Sequence, residues 1–370
     1  MRCTWARGLS AALCAALLLG ALGCRPLAEA PARPAAAPPA ATSPSAGTGS
    51  AATSVATSAP PAPVAHLRVP YSAIAGSTLV LPLARDAGLF AQHGLDVEVV
   101  SIPGSTVVVQ SMLAGEIPIS AVSSAAVVEA DLAGADIPII AGIVNRVVNV
   151  LYTVPAVQTA ADLRGHRIGV PRLGDSSDFL TRYALRQQGL DPERDVSILQ
   201  VGNNAEIVTA MQNGVIDGGI IGSPITIQAR HLGYHQILDL GAQGIPYQHT
   251  TVNVVGSFLR SDEDVVRRFL QAYVEAIYYF RANKAFTQKV LAEFARNDDP
   301  ELLDETWDLY ANHYLERVPY PTLEGIQTVL NESLQPGAKD AKPEQFVDLK
   351  LMHELEASGF FDSLRAKYGE

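Results

Sequence analysis

Between Val69 and Pro224 the chain states one pattern twice. Val69-Pro70, a small polar loop and Ser77-Thr78-Leu79 return as Val170-Pro171, another small polar loop and Ser177-Asp178-Phe179-Leu180. Gly94-Leu95-Asp96 before an apolar run returns as Gly189-Leu190-Asp191. Met112-Leu113-Ala114-Gly115-Glu116-Ile117 returns as Met211-Gln212-Asn213-Gly214-Val215-Ile216. A duplicated unit of this size must bury two sheet faces, one per copy, which makes two similar lobes. Two facing lobes define a cleft, the usual seat of a small-molecule site.

The order of elements within each copy is strand, loop, helix. In the first, Leu67–Pro70 reads as a strand, Ser77–Gln92 as a helix with Ser77 at its N-cap, and Asp96–Ser101 as an alternating strand. A helix through Met112, a buried strand at Ile117–Val122 and a helix after Ser123-Ser124 complete it. The second copy places strands at Arg167–Val170, Val196–Val201 and Val215–Ile221. The pattern predicts an α/β fold of two lobes, each a helix-covered, mostly parallel sheet. The β-branched runs Ile137–Ile143 and Val147–Val154 suit a chain leaving one sheet for the other, and a second crossing is expected within Gln248–Ser257. Beyond Ser261, expected to cap the next helix, the pattern is helical. Val265, Val266, Phe269, Leu270, Tyr273, Ile277 and Tyr278 recur at helical spacing and read as core, and another helix, carrying Trp307 and Tyr310, is expected from Pro300.

The N-terminus narrows the compartment. Arg2 and Arg7 precede an apolar stretch, Leu9–Leu22, and then Gly23-Cys24, the build of a secretory signal. The stretch falls short of the ~20 residues a spanning helix needs, so a retained membrane span is the weaker reading. All 3 cysteines, Cys3, Cys14 and Cys24, lie here, so the exported body has no thiol chemistry and no internal disulfide. From Arg25 to Ala65 the chain is nearly all Ala, Pro, Ser, Thr and Gly, too poor in apolar bulk to offset the entropy of ordering it. The expected organisation is a signal over 1–24, a linker over 25–65, and a first lobe over 66–148 joined by 254–370 with the C-terminal helices. The second lobe is expected over 149–253.

The formal net charge of −11, with no basic stripe, argues against a nucleic-acid partner. No Gly-x-Ser-x-Gly, Walker-type loop or His-Glu-x-x-His occurs. His231 and His235 have helical ligand spacing, but Gly233 between them marks a turn, so no metal site and no cofactor are expected. Asp175 with Glu206 is the sole suggestion of an acid/base pair. What stands out is a set of six matched loops at strand ends. Tyr71-Ser72, Ser105-Thr106 and Ser123-Ser124 answer Asp175-Ser176-Ser177, Asn203-Asn204 and Ser223. Each offers hydroxyls or amides beside the free N–H groups of a helix start, where ligands of open α/β sheets lodge. Capping alone explains many of them singly; as a set they favour a ligand cleft.

Ala87-Gly88-Leu89-Phe90, Gly94-Leu95-Asp96-Val97-Glu98 and Ala114-Gly115-Glu116-Ile117-Pro118-Ile119-Ser120 resemble the first-lobe signature of a family of ABC-transporter solute-binding proteins. The subgroup is the sulfonate/nitrate/taurine (SsuA/THI5-like, NMT1-like) type. Leu163-Arg164-Gly165-His166-Arg167-Ile168-Gly169-Val170 resembles the family's opening of the second lobe, and Phe346-Val347-Asp348 its ending. Leu19-Gly20-Ala21-Leu22-Gly23-Cys24 resembles a lipobox, with Ala21 where leucine is usual; the alternative is ordinary cleavage nearby. Pro118 stands where the family has aspartate, and Gly222-Ser223-Pro224 where acidic or aromatic residues are usual, so the ligand does not carry over.

The resemblance implies a type II periplasmic-binding fold with two hinge crossings that closes on a small solute and delivers it to an ABC permease without catalysis. It also implies a monomer exported and anchored by lipid on Cys24 to a bacterial membrane. Within the class of sulfonates, taurine, nitrate or pyrimidine-like solutes, only Arg172 and Arg146 could meet an anion, while Asp175, Asp178 and Glu206 oppose one. A neutral or zwitterionic solute is therefore favoured, with Tyr71 available to an aromatic one. Two alternatives stay open: a biosynthetic enzyme on the same scaffold, and a ligand sensor for a membrane signalling partner. Aspartate and asparagine are confined to the second set of loops, so Asp175 and Asn203 are expected to govern selectivity more than Ser105.

Overall fold

A parallel pair opens the first lobe: β1 (Ala65–Tyr71) lies against β2 (Leu95–Ser101), Val69 opposite Val99 and Tyr71 opposite Ser101. The computed structural model describes Val64–Gly369; the expected signal, Cys24 and all of the expected linker but its last two residues lie outside the described residues. The helix expected over Ser77–Gln92 is broken in two, α1 (Val80–Asp86) and α2 (Leu89–Gln92), because Gly88 turns left-handed at φ 71°. Ser77 is not its cap. Gly76–Thr78 forms a 3₁₀ turn in which the Thr78 hydroxyl donates to the carbonyls of Ala73 and Ala75 (2.7 and 2.9 Å). The lobe continues through α3 (Ser105–Leu113), β3 (Ile119–Ser123), α4 (Ser124–Leu132) and β4 (Ile139–Arg146).

Val147-Val148, both buried, carry the chain into the second lobe. There β5 (Asn149–Thr153), β6 (Arg167–Val170), α5 (Ser176–Gln187), β7 (Ser197–Gln200), α6 (Asn204–Gln212), β8 (Gly218–Gly222), α7 (Ile225–His231) and β9 (His235–Asp239) follow in turn. Its sheet has the order β7-β6-β8-β5-β9. The duplicated strands β6, β7 and β8 are parallel, as the repeat requires, while β5 runs antiparallel to both neighbours. β10 (Pro246–Val254) does the same in the first lobe, inserting antiparallel between β3 and β4. A strand that arrives from the opposite lobe runs against the local direction. The return crossing thus falls between Asp239 and Pro246, ahead of the expected Gln248–Ser257, and β10 sits wholly in the three-stranded first-lobe sheet β3-β10-β4, separate from the β1-β2 pair.

Helices then close the first lobe: α8 (Gly256–Ser261), α9 (Glu263–Ala282), α10 (Lys284–Ala295), α11 (Pro300–Leu309), α12 (Leu323–Glu332), α13 (Lys350–Ala357) and α14 (Phe360–Tyr368). Ser261 ends α8 instead of capping α9, whose first turn nonetheless carries Glu263 and Asp264 against the helix dipole. Phe269, Leu270, Tyr273, Ile277 and Tyr278 of α9 are fully buried, each burial favourable by roughly 1.5–3 kcal/mol. Glu275 on the same helix is buried too. It accepts from His93 (2.9 Å), Lys367 (2.5 Å) and Tyr368 (2.8 Å), which pins α14 and the end of α2 to α9.

Among the described residues no helix is long and apolar enough to cross a membrane. None of their His, Cys, Asp and Glu side chains group as a metal site. His231 ends α7 beside Glu301, and His235 begins β9, so the pair does not share a helix face.

Candidate functional site

The two sets of strand ends face each other across a cavity of about 60 Å³. Its wall is made of Ser72, Ser77, Thr78, Ser105 and Ser123 from the first lobe and Asp175, Ser176, Ser177 and Asn204 from the second. The crossing strands add Asn149, His249 and Thr250, and Tyr310 enters from beyond α11.

Hydroxyls organise this wall. Ser105 donates to Ser72 (3.2 Å) and accepts from the N–H of Ser123 (3.2 Å). Ser123 caps α4 by accepting from the N–H of Ala125 (3.2 Å), and its hydroxyl also meets that of Ser176 across the cleft (2.7 Å). Ser176 reaches the Tyr247 hydroxyl as well (3.1 Å), and Tyr247 stacks on Phe179 of α5. The first turns of α4 and α5, equivalent in neither copy, are thus joined by a buried bond. A second buried junction runs from the N–H of Gly76 to the carbonyl of Ser223 (3.2 Å). Outside it, Arg230 of α7 forks onto Glu305 of α11 (3.1 and 2.6 Å) and Arg186 of α5 pairs with Glu332 of α12. Largely exposed pairs contribute little, about 0–1 kcal/mol, so the buried hydroxyl bonds hold the lobes more firmly.

Several expected site residues point elsewhere. Tyr71 ends β1 with its ring edge-on to Phe294 (5.0 Å) in the first-lobe core, which removes it as an aromatic platform. Thr106 turns its methyl toward Gly174 of the opposing loop. Ser124 donates to the carbonyl of Gln248. Asn203 is consumed in a capping box: its side chain accepts from the N–H groups of Ala205 and Glu206 (3.0 Å each) and Glu206 accepts from its backbone (2.8 Å). The same box occupies Glu206, so the suggested pair with Asp175 does not converge in the cavity. Ser223 bonds the hydroxyl of Thr306 (2.9 Å). Arg146 lines a separate groove with Gly244 and Glu324, and Arg172 packs its side chain against Gly104.

Asn149, His249, Thr250 and Tyr310 were missed. A polar residue interrupting the apolar run Val147-Val148-Asn149-Val150 was the available signal for the first, and Gln248-His249-Thr250 before a β-branched run for the next two. Tyr310 carried none, since the sequence marks it only as part of the helix from Pro300.

The wall holds no Lys or Arg among the described residues. Burial lifts the Asp175 carboxyl to about 7, against the N–H bonds from Asp178 and Ser177 and the field of Arg172. Burial also drops His249 to about 4, so it is neutral at physiological pH. Its Nε2 donates to Asn149 Oδ1 (3.0 Å) and its Nδ1 accepts from Thr250 (2.9 Å), which fixes one tautomer. The cavity therefore offers hydroxyl, amide and phenol groups, one carboxyl, and no cation.

A closed cleft between two crossed lobes is the architecture of periplasmic binding proteins. The chain belongs to the NMT1/THI5-like family, whose model matches residues 78–285. The Bacillus subtilis protein named "Putative binding protein YtlA" is 24% identical over 266 residues, 68% of this chain and 79% of that protein. A similarly named Brucella abortus protein is 26% identical over 249 residues, 65% of this chain and 74% of that one. Among solved structures, the alkanesulfonate-binding protein SsuA of Xanthomonas axonopodis superimposes with a TM-score of 0.66 at 18% identity, covering 78% of this chain and 99% of its own. The periplasmic nitrate-binding protein NrtA of Synechocystis gives 0.66 at 16% identity, with 80% and 89% covered. A Bordetella bronchiseptica structure gives 0.72 at 19% identity, with 83% and 98% covered.

Proposed function

We propose that this chain is the extracytoplasmic solute-binding component of an ABC importer, closing without catalysis on one small neutral or zwitterionic organic solute. The observation that carries this reading is the interlobe cavity, walled by hydroxyls and amides, bridged by the Ser123–Ser176 bond and lacking a cationic side chain. Solved structures sharing the fold are named as an alkanesulfonate-binding and a nitrate-binding protein, which supports a solute role. Anions favour cationic partners when desolvated, so an uncharged or internally balanced solute suits this wall better than nitrate. Delivery to a membrane permease, a lipid anchor on Cys24 and a monomeric state complete the proposal. Residues 25–65 would serve as the tether from lipid to body.

Thermal-shift screening of the body from residue 66 against sulfonates, nitrate, taurine and pyrimidines tests this. A solute at 100 times its Kd should stabilise the protein by about 2.7 kcal/mol. Stabilisation by taurine or a pyrimidine but not by nitrate is the expected result. No shift with any small solute would remove the main support for the proposal.

A further inference from the structure

Tyr310 lines the cavity with its ring fully buried, yet its hydroxyl has no hydrogen-bond partner. Burial raises the phenol above its ordinary range, which keeps it protonated; Ser77, its polar neighbour, tempers this without meeting hydrogen-bond geometry. A buried polar group left unsatisfied is costly, and at a cavity wall a bound molecule is one way to supply its partner.

The backbone that presents this ring is unusual as well. Tyr310–Tyr314 is a π-helical turn directly after α11, the N–H of Leu315 returning to the carbonyl of Tyr310 (3.0 Å). Such turns are rare and concentrate at functional sites. Arg281 of α9 clamps this one, donating to the carbonyls of Ala311 (2.5 Å) and Leu315 (2.7 Å). On the other side the ring lies flush on Gly76, where any Cβ would overlap it. Three features of the chain therefore hold one phenol at the cavity wall.

We propose that Tyr310 is a solute-contacting residue whose hydroxyl donates to an oxygen or ring-nitrogen acceptor of the neutral or zwitterionic solute. The inference rests on the solute-binding reading and deepens it: the site selects its ligand by a hydrogen bond from the C-terminal helical region, outside both copies of the repeat. Tyr273 supplies an internal control. Its hydroxyl is also buried without a partner, but it lies in the first-lobe core and not at the cavity wall.

The test compares wild type, Tyr310→Phe and Tyr273→Phe by calorimetry, using whichever of ethanesulfonate, nitrate, taurine and cytosine stabilises wild type most. Tyr310→Phe should weaken binding about 3- to 30-fold, while Tyr273→Phe binds as wild type does. Melting without solute should leave both variants within about 2 °C of wild type or above it, since each loses only an orphan hydroxyl. Wild-type affinity in Tyr310→Phe, or equal losses in both variants, overturns the proposal. If no probe moves wild type, the solute-binding reading fails separately and the melting arm still judges Tyr310. A fall of several degrees for Tyr310→Phe would then reveal a structural partner for the hydroxyl and overturn the assignment, whereas an unchanged or higher melting temperature upholds the unsatisfied phenol.

Discussion

Asp175 at the cleft and Glu275 in the first-lobe core are both nearly buried carboxyls, and their surroundings drive them in opposite directions. Burial raises Asp175 to about 7, because two backbone N–H groups of its own helix and a more distant Arg172 do not replace lost water. Burial pushes Glu275 upward too, but bonds from His93, Lys367 and Tyr368 outweigh it and hold that carboxyl at about 2. One cation with two further donors suffices; a neutral cap does not. Glu275 spends its oxygens on fixing helices to one another, whereas Asp175 at the cleft is matched only by the N–H groups of its own helix.

The largest expected loss of stability on substitution breaks the satisfied side of this contrast. Glu275→Ala should cost about 2–3 kcal/mol in urea unfolding, less than the full penalty for splitting a buried pair because Lys367 can reach water. With the folded carboxyl below its ordinary 4.5, the Glu275 contribution is complete above that value and lost as pH falls from 4.5 through about 2. A variant as stable as wild type at pH 7 would break the comparison.

Asp175 should show the opposite sign. Its folded carboxyl lies above its ordinary 3.8, so the native state binds the extra proton, and stability falls as pH rises from 3.8 through about 7. Asp175→Asn, which can still cap α5, should abolish that slope, an effect of up to about 4 kcal/mol across the window if the carboxyl keeps its full shift. Urea midpoints of solute-free protein at several pH values measure it, and parallel curves for the two proteins would count against the assignment.

A smaller effect is expected at the interlobe bond. Ser176→Ala removes the partner of both Ser123 and Tyr247 and should weaken solute binding by about 1 kcal/mol. Smallest at the site is Asn203→Ala. It should lower stability by about 1 kcal/mol through the lost cap of α6 and leave affinity unchanged, although the sequence pattern made Asn203 a selectivity residue. Calorimetric titration alongside unfolding separates the two quantities.

The fold was legible because duplication is a statement about burial: two copies of one apolar pattern need two cores. The loops were legible for the same reason, and Ser72, Ser105, Ser123, Asp175, Ser176, Ser177 and Asn204 do line the cavity. Which member of each pair faces inward was not legible. Asn203 and Asn204 are adjacent and alike, yet the capping box claims one and leaves the other to the cavity. Tyr71 was lost to the core by its place at the end of β1, where Phe294, far along the chain, receives it. Asn149, His249 and Tyr310 come from crossing strands and a helix end outside the repeat, so no internal echo could mark them.

Asn149 and His249 have a consequence for rates. They stand on β5 and β10, the strands into which the two crossings lead, and they bond each other there. If the cavity holds a solute as proposed, Asn149 and His249 would meet it beside the two crossings, and the Ser123–Ser176 bond would have to part before it leaves. Substitutions at Asn149 or His249 should act on the association rate, and substitutions at Ser123 or Ser176 on the dissociation rate.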